Sequence, residues 1–94
     1  MPEKNTWSRD RHQRANAYVG RQLRIRRRKL GLSQKDLALE LGVTHQQIQK
    51  YECGKNALRP TMLWCAAAVL QVPIEYFFDG VEAAVRARPN SRGG

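Results

Sequence analysis

Apolar residues in this chain recur at helical intervals. Val19, Leu23 and Leu30 lie four and seven residues apart inside an otherwise basic run, a spacing that puts them on one face of a helix. Gly31 tolerates the left-handed conformation that ends helices, so a first helix is predicted from about Arg14 to Leu30. Ser33 can cap a second, Gln34 to Leu41, with Asp36 at its third position to complete a box-like arrangement and favour the positive end of the dipole. Gly42 ends it. Thr44 caps a third helix to about Glu52, which Gly54 closes. Pro60 restricts the chain before Thr61, which is expected to cap a helix through Leu70. Pro73 opens a last one from Ile74 to about Phe78, with VEAAVRAR as a short extension. Val and Ile never alternate over a strand's length, so no sheet is predicted. Leu23, Leu37, Leu41, Ile48, Leu63, Ala67 and Leu70 form the expected core.

The expectation is therefore an all-α, compact five-helix domain over residues 14–80. Ninety-four residues with 41% apolar content and seven aromatics fit one domain with a modest core and no deep enclosed pocket. Seventeen Lys and Arg against eight Asp and Glu leave a net charge of +9, which points to a polyanionic partner: nucleic acid first, an acidic membrane surface second. The charge is unevenly placed. Residues 1–30 carry ten bases and two acids, whereas residues 73–94 balance three against three. Residues 1–13 lack an apolar thread and read as a flexible basic tail; residues 81–94 read as an extension, a short helix followed by a disordered end.

No stretch approaches the ~20 apolar residues that span a bilayer and no secretory leader is evident, so a cytoplasmic protein is expected. Cys53 and Cys65 form neither a CxxC pair nor part of a Cys/His quartet and read as structural thiols, with no metal and no cofactor expected. A Ser/His/Asp set, a carboxylate pair and a Gly-rich phosphate loop are all missing, which argues against an enzyme.

Two short helices joined by Gly42-Val43-Thr44 have the spacing of a helix-turn-helix. Ala38 is small where the second helix must approach, and Val43, Ile48 and Tyr51 can plug the angle between the two. An ordinary helical hairpin would use the same Leu37, Leu41 and Ile48 as core. The outward face of the second helix favours the former: His45, Gln46, Gln47, Gln49 and Lys50 include no carboxylate. Gln can bond both N6 and N7 of adenine, and Lys can reach O6 or N7 of guanine. His45 is read as a groove contact rather than a pH sensor.

From Val19 to Gly80, the pattern LGLSQ…LA…LGVT…QIQKYE.GKN resembles the Cro/repressor-type, lambda-repressor-like helix-turn-helix regulators. It is most similar to the alphaproteobacterial branch, in which QQ-apolar-QKYE and a closing YFFxG recur. The resemblance implies a homodimer on a palindromic double-stranded DNA operator. It implies base contacts from His45, Gln46 and Lys50, flanked by Gln47 and Gln49. Phosphate contacts would come from Gln34, Thr44, Lys55, Asn56, Arg59 and Arg24, with the rest of the basic first helix and tail also holding the backbone. It further implies an ion pair between Arg27 and Glu52.

Three departures from the family pattern stand out. His45 occupies a position often apolar or amide. Gln71 replaces a glycine after Leu70, so either a residue with a Cβ takes positive φ or the helix ends differently. Ala66 replaces a larger aliphatic residue; either Trp64 or a partner chain would fill the space, and Trp64 is the expectation. Finally, Tyr76, Phe77, Phe78 and Val81 give the C-terminal part more apolar surface than a small domain covers, and a dimer seam is expected there. The alternative is an antitoxin or anti-activator whose main target is a protein partner, with autoregulatory DNA binding.

Overall fold

A computed structural model describes residues 2–86 of the chain, the side chains of residues 2–8 excepted. The elements in order are α1 (Pro2–Lys29), α2 (Gln34–Leu41), α3 (His45–Glu52), α4 (Pro60–Leu70), a 3-10 turn η1 (Ile74–Phe78) and α5 (Val81–Arg86). Among the described residues there is no strand, and no single helix is long and apolar enough to cross a membrane.

One cluster of buried side chains joins the helices: Val19, Leu23, Leu37, Ile48, Tyr51, Leu63, Ala67, Leu70 and Phe77, with Leu41 and Val43 at its edge. α1 is the hub of the packing, meeting α3, α4, η1 and α5 along its length. Its side chains reach the backbone of α4, the end of η1 and α5: Arg26 Nε donates to Leu70 O (2.9 Å), Tyr18 Oη to Asp79 O, and Arg14 Nη1 to Val85 O (3.4 Å).

The first helix is longer than the apolar pattern indicates. α1 begins at Pro2, so the segment read as a flexible tail is helical over its described part, residues 2–13. No apolar stripe is needed there. Once residues 14–29 are fixed by packing, each further residue adds a backbone bond without a new nucleation cost, and the i,i+4 pair Asp10–Arg14 (3.1 Å) supports the extension. Arg9 to Gln13 are all solvent-exposed. The C-terminal end expected to be disordered includes residues 87–94, which lie outside the described residues.

α4 and its flanks correct three expectations. Pro60 is itself the first helical residue and Arg59 the N-cap, so Thr61 does not cap the helix; proline suits that position because its missing N–H has no intrahelical partner there. Ala66 is fully buried, but Trp64 is 65% exposed. Leu63, Ala66, Ala67 and Leu70 make the buried stripe, and at 100° per residue Trp64 falls about 110° from its centre, so it points to solvent rather than filling space beside Ala66. Phe77 is 0% exposed and packs edge-to-face with Tyr76 (centroids 5.5 Å). It belongs to the core of its own chain and is unavailable to a dimer seam. Gln71 takes the left-handed conformation (φ 61°, ψ 46°) and ends the helix despite its Cβ, its N–H donating back to Ala67 O and Ala68 O.

Candidate nucleic-acid interface

The geometry of α2 and α3 follows from their caps. Ser33 Oγ accepts from Asp36 N (2.9 Å) while Ser33 N donates to the Asp36 carboxylate (2.8 Å), a reciprocal box that fixes the start of α2. Gly42 then adopts φ 71°, which lets the chain turn within three residues, and Val43 N returns to Ala38 O (3.0 Å). Thr44 Oγ1 accepts from Gln47 N (3.1 Å) and starts α3. Side-chain caps of this kind contribute about 1 kcal/mol each. Two such caps around one glycine turn set the angle between the helices.

The Ser33 backbone N–H, and secondarily its hydroxyl, hold the Asp36 carboxyl below the ordinary aspartate range. A folded-state pKa that is depressed stabilises the charged form. The contribution is complete above the range in which an unfolded aspartate titrates, and it is lost as pH falls through the lower folded value. Asp36→Asn should therefore flatten the acid limb of a stability-versus-pH curve measured by thermal melts between pH 5 and 2; an unchanged limb would mean the box is not formed in solution.

α3 divides sharply into two sides. Ile48, Tyr51 and Glu52 are buried; Gln46, Gln49 and Lys50 are exposed, and His45 and Gln47 half-exposed. Glu52, the one carboxylate of α3, is turned inward. Arg27 grips it with two bonds, Nε to Oε2 (2.6 Å) and Nη2 to Oε1 (3.0 Å), and places its third on Leu32 O (2.8 Å). Gln34 Nε2 adds a bond to the same Oε1 (3.1 Å). Three elements are joined in one half-hidden network: α1 through Arg27, the start of α2 through Gln34, and the end of α3 through Glu52. The outward face is left with amides, a histidine and a lysine.

Of the other candidate phosphate contacts, Thr44 precedes α3, Lys55 and Asn56 follow it, Arg59 caps α4 and Arg24 stands on α1. Thr44, Lys55, Asn56, Arg59 and Arg24 are all exposed. Lys55 and Asn56 leave α3 by a tight return in which both backbone N–H groups donate to Lys50 O (2.9 and 3.2 Å). Of the residues expected to line a dimer seam, Phe78 is 41% exposed, and Tyr76 and Val81 are half-buried.

Two structural residues escaped the sequence pattern. Gly20 sits mid-helix in α1, where a Cβ would come within 2.1 Å of Tyr51 O and 3.0 Å of Glu52 O. It lets the end of α3 press directly on α1. Arg26, read as part of a charge run, caps the last carbonyl of α4. A glycine within an otherwise helical run was the available signal for the first; nothing in the spacing marked the second.

Comparison with known proteins agrees with this geometry. Residues 23–77 match the helix-turn-helix family. A transcriptional regulator in the ATPase CF(0) region of Rhodospirillum rubrum is 46% identical over 82 residues, 87% of this chain and 73% of that protein. An HTH-type transcriptional regulator of Sinorhizobium medicae is 45% identical over 62 residues, 66% of this chain and 45% of the relative. One from Rickettsia conorii is 38% identical over 77 residues, covering 82% and 62%. The chain thus spans between about half and three-quarters of the length of these relatives. With its two capped helices, glycine turn and outward amide face, the chain belongs to the Cro/repressor-type helix-turn-helix family of transcriptional regulators.

Proposed function

We propose that this protein is a sequence-specific, double-stranded-DNA-binding repressor that acts as a homodimer on a palindromic operator. The observation that carries the reading is the two-sidedness of α3. Its only carboxylate is buried and paired with Arg27, while Gln46, Gln49 and Lys50 face solvent from a helix clamped at both ends. A face of that composition suits the major groove, where amides match adenine and lysine matches guanine. In this reading Gln46, Gln49 and Lys50, with His45 and Gln47 beside them, meet base edges. Gln34, Thr44, Lys55, Asn56, Arg59 and Arg24 hold phosphates on either side. Occupancy of the duplex is enough to block access to it, hence repression.

The dimer rests on Phe78, whose ring is 41% exposed, with Tyr76 and Val81 beside it. Two-fold pairing would set the readers one helical turn, ~34 Å, apart. A sedimentation measurement that finds a monomer at tens of micromolar, both free and on DNA, would remove the pairing.

Protection mapping of the DNA upstream of the protein's own gene supplies the operator. On that operator Gln46→Ala should lower discrimination against a scrambled duplex by about 1–3 kcal/mol, while leaving the slope of log affinity against log salt unchanged. Wild-type protein that binds scrambled and mapped sequences equally would defeat the base-reading claim.

The second reading, a regulator whose main target is another protein, rests on Leu39 and Trp64, which are 82% and 65% exposed on α2 and α4. Pull-down from native lysate separates the two: a stoichiometric partner lost in Trp64→Ala, with no footprint on DNA, favours it.

A further inference from the structure

Between Arg14 and Arg28 the arginines of α1 divide into two groups. Arg14 is engaged with Asp10 and Val85 O, Arg26 with Leu70 O, and Arg27 with Glu52 and Leu32 O. Arg21, Arg24 and Arg28 are exposed, and make no ion pair or side-chain hydrogen bond with the described residues. They are spaced i, i+3 and i+7, so they share one face. Like charges at such spacings repel and weaken an isolated helix. The stripe is electrostatically incomplete.

Its direction follows from the contacts of α1. The line through Gly20 and Arg27 is where the end of α3 rests, since Gly20 meets the carbonyls of Tyr51 and Glu52 and Arg27 holds the Glu52 carboxylate. Leu23, fully buried, lies about 60° from Gly20 on the core side; Arg24, Arg28 and Arg21 lie about 40°, 80° and 100° round on the opposite side. Further round, Arg14 and Tyr18 meet α5 and the turn before it. The buried side of α3, Ile48 and Tyr51, faces the core, so its polar side turns away from Leu23 toward the arginines. The stripe and the reading face open in the same direction.

From this we infer that Arg21, Arg24 and Arg28 form a phosphate-binding edge beside the reader, over which one strand of the duplex seated on α3 passes. The inference rests on the DNA-binding reading and narrows it from a basic first helix as a whole to three arginines on one face, setting Arg14, Arg26 and Arg27 apart as structural. Positions 21 to 28 span about 10.5 Å of helix, about three steps of ~3.4 Å per phosphate along the duplex axis, so the stripe is long enough to meet three phosphates of one strand. The stripe reads no bases. Its contribution is affinity and register, and it should vanish from the binding constant at high salt.

The test is the triple variant Arg21→Gln, Arg24→Gln, Arg28→Gln, with the triple lysine variant as the charge-retaining control, each titrated on mapped operator and on scrambled duplex across a salt series. The glutamine variant should lose about 2–3 units of the log–log slope, ~0.9 for each phosphate released, with the operator-to-scrambled ratio unchanged. The lysine variant should keep the slope. Free of DNA at low salt, the glutamine variant should melt at a higher temperature than wild type, because the repulsion is gone. An unchanged slope in the glutamine variant, with wild type still preferring its operator, overturns the stripe and leaves the function standing. Loss of preference in wild type itself would instead sink the reading beneath it. Should the triple variant lose helicity, the singles Arg24→Gln and Arg28→Gln decide the matter by the same slope, each expected to fall by ~0.9.

Discussion

Glu52→Ala is expected to destabilise the protein by about 3–5 kcal/mol, read by denaturant or thermal unfolding. The reason is the charge left behind. Arg27 is only 8% exposed, and with Glu52 gone its guanidinium keeps one bond, to Leu32 O, in place of three. Gln34 loses its acceptor at the same time. Against a total stability of ~5–15 kcal/mol for a domain of this kind, the loss is a fifth or more. Removing both partners should behave differently: Arg27→Met with Glu52→Leu leaves no unpaired charge and should recover most of the stability, since buried ion pairs seldom outperform apolar groups of like volume. The cycle separates a pair needed for stability from one needed to aim α3. A double variant that folds well yet binds operator weakly assigns the network to positioning; a single variant that costs below ~1 kcal/mol would show that the pair is not buried in solution.

Gly20→Ala should be nearly as severe, which is the opposite of what propensity dictates. In an exposed helix the change is favourable by about 1 kcal/mol. Here the new methyl would lie 2.1 Å from a carbonyl oxygen of α3 and 3.0 Å from another. Neither is the tip of a flexible side chain, so α1 and α3 must separate. Overpacking of well-packed interiors costs about 1–3 kcal/mol or more, and the net effect should be a loss of at least ~2 kcal/mol. For a chain of this size that lowers the melting temperature by ~10 °C or more. Gly31→Ala is the comparison. A Cβ there meets nothing within 4 Å, and only its φ of 75° resists the change, at about 1–2 kcal/mol. A Gly20→Ala protein as stable as wild type would mean that the close crossing is absent.

Much of the reader was legible because its determinants are local. The Ser33–Asp36 box, the Thr44 cap and the Gly42 turn each depend on residues within four positions, and the outward polar set of α3 follows from helical periodicity alone. The Arg27–Glu52 pair joins positions far apart, and only the family resemblance suggested it. What stayed hidden depends on the third dimension. Gly20 matters only because carbonyls some thirty residues later arrive beside it. Phe77 and Phe78 are adjacent and equally apolar, yet one is in the core and the other at the surface, a choice made by the packing of η1 on α1 and α4. In the alanine-rich α4 a periodicity argument had few large residues to anchor its phase, and Trp64 was assigned to the wrong side. Residues 2–13 carry no apolar stripe, so their helix is inherited from the packed turns that follow.

Along α1, Arg14 touches α5 and, two turns later, Gly20 and Arg27 receive α3. A helix bends and rolls but scarcely changes length, at ~1.5 Å per residue. In the proposed dimer, pairing near the C-terminal end would therefore be geared to the separation of the two readers through one stiff rod. An insertion of a single residue between Arg14 and Gly20 would turn Arg14 by about 100° relative to the α3 contact and break its hold on α5, while η1 stays packed on α1 and α4. Such a protein would keep its capped reader, its base chemistry and the Phe78 face, and lose the brace that α1 gives to its last helix.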